Sequence, residues 1–165
     1  MFDRLLLAID DSLGSEMATA FASAFAQRSG ASVHVLHVNE YLVAGRGVTL
    51  HSNEEVRALL RSALTQLESA DVVASGSSCV ASYRAVASCI VEEARVRRAD
   101  AIVLGSHRHR GFDRLFSSRV RERTTRLTSL PVLTAPAPLN ISARSHVGVD
   151  ELMRAEIERA LSGQP

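Results

Sequence analysis

The 165-residue sequence predicts a single α/β domain: a five-stranded parallel sheet with helices on both faces, followed by one extra C-terminal helix. Three observations predict it. Apolar runs of strand length alternate with helical patterns from Arg4 to Ala135, the order that builds a parallel sheet wrapped by helices. Hydrophobic residues make up 46% and charged residues 22%, the balance of a chain that can fill a core. The length fits one domain of roughly 100–200 residues, and no internal repeat divides it.

Arg4–Asp10 is a compact apolar run closed by an acid, as a buried parallel strand would be. A helix follows, with Ser12 as N-cap and Glu16 in its first turn. Leu13, Met17, Phe21, Ala24 and Phe25 share one face, and Gly30 is the stop signal. Ser32–Val38 is the second strand. Its period of two sends His34 and His37 to opposite faces, so they cannot act together. In the next helix Ser52 and Glu55 form a capping box, and Val56, Leu59, Leu60, Ala63, Leu64 and Leu67 form an apolar stripe. The third strand lies within Val72–Ala81. The third helix aligns Val86, Ile90, Val91 and Ala94. Ala101–Gly105 is the fourth strand, a loop leads to a helix at Ser118–Leu127, and Pro131–Ala135 is the fifth strand, with proline tolerated at its first residue. The domain thus spans 1–135. Residues 136–165 divide into a linker, Pro136–His146, and an amphipathic helix, Val149–Leu161.

Several function classes fall away. No run approaches the ~20 apolar residues of a membrane span, and the N-terminal stretch lacks the features of a signal peptide. A cytoplasmic protein is expected, with no membrane partner. The net charge of +1 argues against general nucleic-acid binding. Charge is unevenly spread, however: seven arginines against Asp113 and Glu122 between Gly105 and Arg126 give that segment +5, a patch suited to a small anionic ligand. All 19 basic residues are arginine, which removes any P-loop, whose lysine reaches the terminal phosphates. The same absence, with no acid after the third strand, removes a two-component receiver. Cys79 and Cys89 are unpatterned for a disulfide framework or a zinc site and read as buried small hydrophobes. His107 and His109 form an H-x-H without an evident third ligand, so no metal site is expected. No G-x-S-x-G elbow is present, and no catalytic residue is assigned.

The stretches LLLAIDDS, VHVLHV and ADAIVLGSHRHRGFDRLFSSRVRERTTRLTSLPVL together resemble the universal stress protein family over about Met1–Ala135. The resemblance implies a Rossmann-like fold of the adenine nucleotide alpha hydrolase kind. It also implies a homodimer through the fifth strand, Pro131–Ala135; the apolar stripe of the C-terminal helix is expected to pack on its own domain or across onto the partner, covering that edge. ATP-binding members carry a glycine, two residues, a second glycine, nine residues, a third glycine, then serine or threonine. Such glycines let backbone amides close on phosphate oxygens at a helix N-terminus. On this chain the first glycine is Gly105, the second position holds Arg108, the third Ser118, and the hydroxyl position Arg119, followed by Val120. Gly111 retains an additional loop glycine. The family's adenine and ribose contacts fall on Asp10 and Val38.

The base-facing end therefore matches the family and the phosphate-facing end departs from it. Two readings stand. In one, the loop has lost ATP, no cofactor is held, and the chain is a non-catalytic stress-response binding protein. In the other, it is a switch binding ATP or another adenine nucleotide, with Arg108, Arg110 and Arg119 contacting phosphates by side chain and hydrolysis at most slow.

Overall fold

The computed structural model describes residues 2–42, 48–106, 118–136, 157–158 and 161–162. The elements in chain order are β1 (Arg4–Ile9), α1 (Leu13–Ser29), β2 (Ser32–Leu42), β3 (Val48–Thr49), α2 (Asn53–Glu68), β4 (Ala74–Ala81), a short 3₁₀ turn, α3 (Val86–Val96), β5 (Ala101–Leu104), α4 (Ser118–Leu127) and β6 (Val132–Thr134). The five predicted strands are β1, β2, β4, β5 and β6, and all of their pairings are parallel.

β1 lies at the centre, with β2 and then β4 on one side and β5 and then β6 on the other. Strand order therefore reverses between β1 and β5, the position where open α/β sheets place ligands beyond the strand C-termini. The register at the opposite end is pinned by Asp100. Its Oδ2 accepts the backbone N–H groups of Asp3 and Arg4, each at 2.8 Å.

The sheet separates two apolar clusters. α1 and α2 pack on one face, around Leu5, Leu7, Phe21, Phe25, Val33, Val35 and Leu67. α3 and α4 pack on the other, around Leu6, Leu36, Ile90, Ile102, Leu104 and Val120. β5 is buried along its whole length, which is why it reads as a continuous apolar run rather than an alternating one.

Helix ends follow the sequence signals. The α2 capping box is complete: Ser52 Oγ accepts the Glu55 N–H, and the Glu55 carboxylate accepts the Ser52 N–H at 2.7 Å. Gly30 caps α1 at φ 74°, a conformation that favours glycine.

Four local features differ from the expectation. Leu13 is 55% exposed, because α1 lies against the sheet through Gly14, Ser15, Ala18, Ala22 and Ala26. Those small residues widen the buried arc and rotate it away from Leu13. The Ser12 side chain makes no N-cap bond; its hydroxyl turns back to the Asp10 carboxylate. β2 runs four residues past Val38, and its extension pairs antiparallel with β3, so a sixth, two-residue strand joins the sheet. Finally, Cys79 and Cys89 are half-buried and joined to each other by a disulfide, rather than packed as separate thiols.

Of the C-terminal helix, Ile157–Glu158 and Leu161–Ser162 are described, and they are helical. Ile157 is 1% exposed within the α1-side cluster, and Glu158 pairs with Arg28 at the end of α1 at 3.3 Å. This stretch thus seats on its own domain. The predicted linker, apart from Pro136, lies outside the described residues.

Candidate functional site

At the C-terminal end of β1, the 4%-exposed Asp10 turns the chain into α1. Its Oδ1 accepts the Ser12 N–H at 2.9 Å, the Ser15 hydroxyl at 2.6 Å and the Ser12 hydroxyl. The Ser15 oxygen in turn accepts the Asp10 N–H at 2.6 Å. Among the described residues these bonds all fall on Oδ1, so half of the carboxylate is committed to holding the first turn of α1.

Gly105 approaches the same turn from β5. A Cβ on Gly105 would lie 2.6 Å from the Gly14 carbonyl oxygen and 2.8 Å from its carbonyl carbon, so no side chain fits between the two backbones. β1 and β5 pair as Leu7↔Val103, and continuing that register brings Ile9 opposite Gly105. Asp10 and Gly105, 95 residues apart in sequence, therefore meet at the switch point of the sheet.

Val38 comes next, on β2. β1 ends at Ile9, opposite His37, so β1 does not cover Val38. The Val38 side chain is buried in the α3-side cluster, which leaves its backbone as the part a ligand above β1 could meet. Val120 is buried in the same cluster on the first turn of α4, whereas Arg119 beside it is exposed. Ser118 opens α4. Arg108, Arg110, Gly111, His107 and His109 lie outside the described residues.

Sequence reasoning missed a second set of polar groups at this end of the sheet. His37 is fully buried, and its Nδ1 donates to the Ile9 carbonyl at 3.1 Å. That bond fixes Nε2 as a bare acceptor, and Nε2 is buried with no hydrogen-bond partner. The His51 ring stands edge-on to it at 5.4 Å, with Nε2 3.3 Å from Asp11 and Nδ1 buried and unpaired. Asn39 holds the His51 backbone through both ends of its amide, at 2.7 and 3.1 Å. Ser106 Oγ, one residue past Gly105, is also buried, with no hydrogen-bond partner among the described residues. The signal was available in part: polar Asn39 continues β2 where an apolar strand should have stopped.

On the opposite face, the structure assembles a serine, histidine and glutamate that show no motif in sequence. The Ser75 hydroxyl donates to His34 Nδ1 at 2.7 Å, and His34 Nε2 donates to Ser77 Oγ at 2.8 Å. The Ser77 hydroxyl donates to Glu93 Oε1 at 2.8 Å, and the Arg97 guanidinium donates to the same oxygen at 2.9 Å. This direction of donors suits a neutral imidazole. Burial, helped by Arg97, holds the His34 pKa below its ordinary value. Burial would raise the Glu93 carboxyl, but hydrogen bonds from Arg97 and Ser77 overcome it and leave it lowered. A hydroxyl aimed at a neutral imidazole is the start of a nucleophile–base pair. Here Glu93 shares Nε2 with Ser77 and is neutralised by Arg97, so the chain braces β4 against β2 and α3. Among the described residues no three His, Cys, Asp or Glu side chains converge to hold a metal, and no helix is long and apolar enough to cross a membrane.

A central β1 flanked by a strand-order switch, with an acid at its end and Gly105 against α1, defines an open α/β domain of the Rossmann-like type. The chain belongs to the universal stress protein family, whose profile matches residues 1–136. No curated protein is similar enough to count as a relative. Solved structures agree in fold. A universal stress protein family member from Burkholderia pseudomallei superposes with a TM-score of 0.66 at 23% identity, over 82% of this chain and 97% of that one. The universal stress protein from Archaeoglobus fulgidus in complex with dAMP gives 0.62 at 22%, over 82% and 98%. An Arabidopsis thaliana family member with AMP bound gives 0.59 at 18%, over 87% and 97%.

Two outcomes follow from this geometry. Gly105→Ala drives a methyl group into the Gly14 backbone, and chemical denaturation should show a loss of at least about 2 kcal/mol, since neither backbone can yield like a side chain. Stability should also depend on two buried histidines. Burial lowers both His34 and His37 below 6.5, so their contribution is complete above pH 6.5 and is lost as pH falls through the lowered folded values. Melting temperature measured from about pH 8 down to about pH 5 should be level and then decline, and His34→Gln with His37→Gln should flatten the decline.

Proposed function

We propose that this chain is a non-catalytic, cytoplasmic binding protein of the stress response that does not hold ATP as its glycine-bearing relatives do. One observation carries the reading. The retained motif glycine, Gly105, is required by its backbone contact with Gly14, so its presence is accounted for without any phosphate. The family's other two motif glycines are replaced, by Arg108 and Ser118. A phosphate cradle depends on close backbone approach, which a side chain at those positions obstructs.

A second reading is favoured by a separate observation: His37 Nε2 and Ser106 Oγ, on residues next in sequence to Val38 and Gly105, are buried with no hydrogen-bond partner among the described residues. In that reading an adenine nucleotide occupies the base-facing end; two of the solved relatives carry dAMP and AMP. Asp10 Oδ2 and the Val38 backbone take the nucleoside, and Arg108 and Arg119 take the phosphate, beside Gly111 and Val120. The protein then acts as a switch rather than an enzyme.

The domain, 1–135, is further proposed to form a homodimer along the edge strand β6, within Pro131–Ala135, with the C-terminal helix covering the joint. The packing of Ile157 and Glu158 against α1 supports a helix seated on its own domain. Light scattering should return twice the chain mass, and a monomer would remove the dimer.

Calorimetry with ATP, ADP and AMP, with and without magnesium, separates the two readings. The first expects no saturable heat from ATP, and binding restored when Arg108→Gly, Ser118→Gly and Arg119→Ser are combined. The second expects AMP to bind to the unaltered chain. Arg119→Ala should then weaken the nucleotide more than adenosine, by about 1.5–3 kcal/mol for a lost charged hydrogen bond.

A further inference from the structure

Strand β4 forms one edge of the parallel sheet, and helix α3 lies across its inner face. Ser75, Ser77 and Cys79 alternate along β4, while Cys89, Glu93 and Arg97 follow at four-residue steps along α3. The two rows meet: Ser77 bonds to Glu93, Glu93 to Arg97, and the sulfur of Cys79 to that of Cys89. The disulfide stands where the polar brace around His34 runs out. From there toward the C-terminal end of β4, it is the sulfur bridge that ties the strand to the helix.

Both cysteines are half-buried, packed at the rim of the α3-side cluster. Small oxidants and reductants can reach them there. They are the only cysteines in the chain and lie 10 residues apart, so any bond within one chain must join these two. Their Cα atoms are 7.4 Å apart, wider than the roughly 4.4–6.8 Å of most bridged pairs, a spacing at which closing the bridge requires backbone movement and two separate thiols do not. Reachable bonds of this kind are the labile and regulatory ones, and in a reducing compartment they persist only while an oxidant is present.

We propose that Cys79 and Cys89 form a reversible redox modification site, at which a hydroperoxide closes the disulfide and a dithiol reductant reopens it, fastening the edge strand β4 to α3. One thiolate attacks the distal oxygen of the peroxide, the O–O bond breaks, and a sulfenic acid forms while the leaving oxygen departs as water or alcohol. The second thiol then attacks the sulfenic sulfur, the S–O bond breaks, and water leaves. With hydrogen peroxide, two thiols and one peroxide give one disulfide and two waters; the sulfurs lose two electrons and the peroxide gains them. Reopening takes two electrons from the dithiol, which becomes a disulfide in its turn. Cys79 is the register partner of Val38, so the site stands at the same end of the sheet as the candidate nucleotide site, and the proposal requires no nucleotide there.

The test uses the full chain, reduced with dithiothreitol, desalted, and exposed to stoichiometric hydrogen peroxide. Expected is the loss of both maleimide-reactive thiols and of the mass of two hydrogen atoms, with the protein still a single chain on a non-reducing gel. Dithiothreitol without denaturant should restore both thiols. The oxidised protein should melt several degrees above the reduced one, because a closed loop has fewer unfolded conformations. Cys79→Ser and Cys89→Ser should each abolish the peroxide-dependent difference in melting temperature. The proposal is overturned if both thiols stay reactive after peroxide, if one sulfur accumulates oxygen atoms, if chains become cross-linked, or if the bond opens only in denaturant.

Discussion

The backbone of Gly105 meets the backbone of Gly14 with no room for a Cβ between them. That contact sets how closely the exit of β5 can approach the first turn of α1. Because β1 and β5 are neighbours, it also sets the floor of the crevice at the switch point. Asp10 completes the corner from the other side by tying the same turn to the end of β1 through Ser12 and Ser15. Three elements thus converge through backbone contact and one buried carboxylate. A glycine at position 105 is a structural necessity first, and any role toward a ligand is added to that. For this chain, a motif glycine read from sequence is therefore weaker evidence of phosphate binding than the same glycine would be in an open loop.

Elements whose signals are local were legible in the sequence. The Ser52–Glu55 box, Gly30 after α1 and the apolar run of β5 act within a few residues, and the structure places each as read. On α1, Phe21 and Phe25 are buried as the stripe predicted, whereas Leu13, on the same stripe, is exposed. In the fold, helix and sheet approach through glycine, serine and alanine, which hydrophobic patterning undervalues. Of the site, Asp10 and Gly105 were legible through the family spacing, and the sheet order explains why they meet. His37, His51 and Asn39 were not, since their grouping depends on the β2 extension and its return through β3.

The face between β4 and α3 shows the same limit more sharply. Gly76 and the serines of β4 make it look like a poor strand. Their hydroxyls nonetheless bond to His34 and Glu93, so polarity there reflects a hydrogen-bonded seam rather than a weak element. The two cysteines sit at positions that no spacing rule joins. They meet because a strand period of two and a helix step of four run alongside each other, which only the packed structure reveals.

The seat of Ile157 in the α1-side cluster has a consequence for how the protein is made. Glu158 pairs with Arg28 across 130 positions of sequence, and Ile157 fills the same face of α1. A ribosome working at about 5–20 residues per second takes roughly 6–26 s to travel that distance. Throughout that interval α1 has been made and the residue that finishes its apolar face has not. The nascent sheet must either wait with that patch bare or lend it to a chaperone. The last of the core is supplied by a late arrival, and vectorial synthesis, rather than the finished packing, sets when the domain becomes safe from sticking to its neighbours.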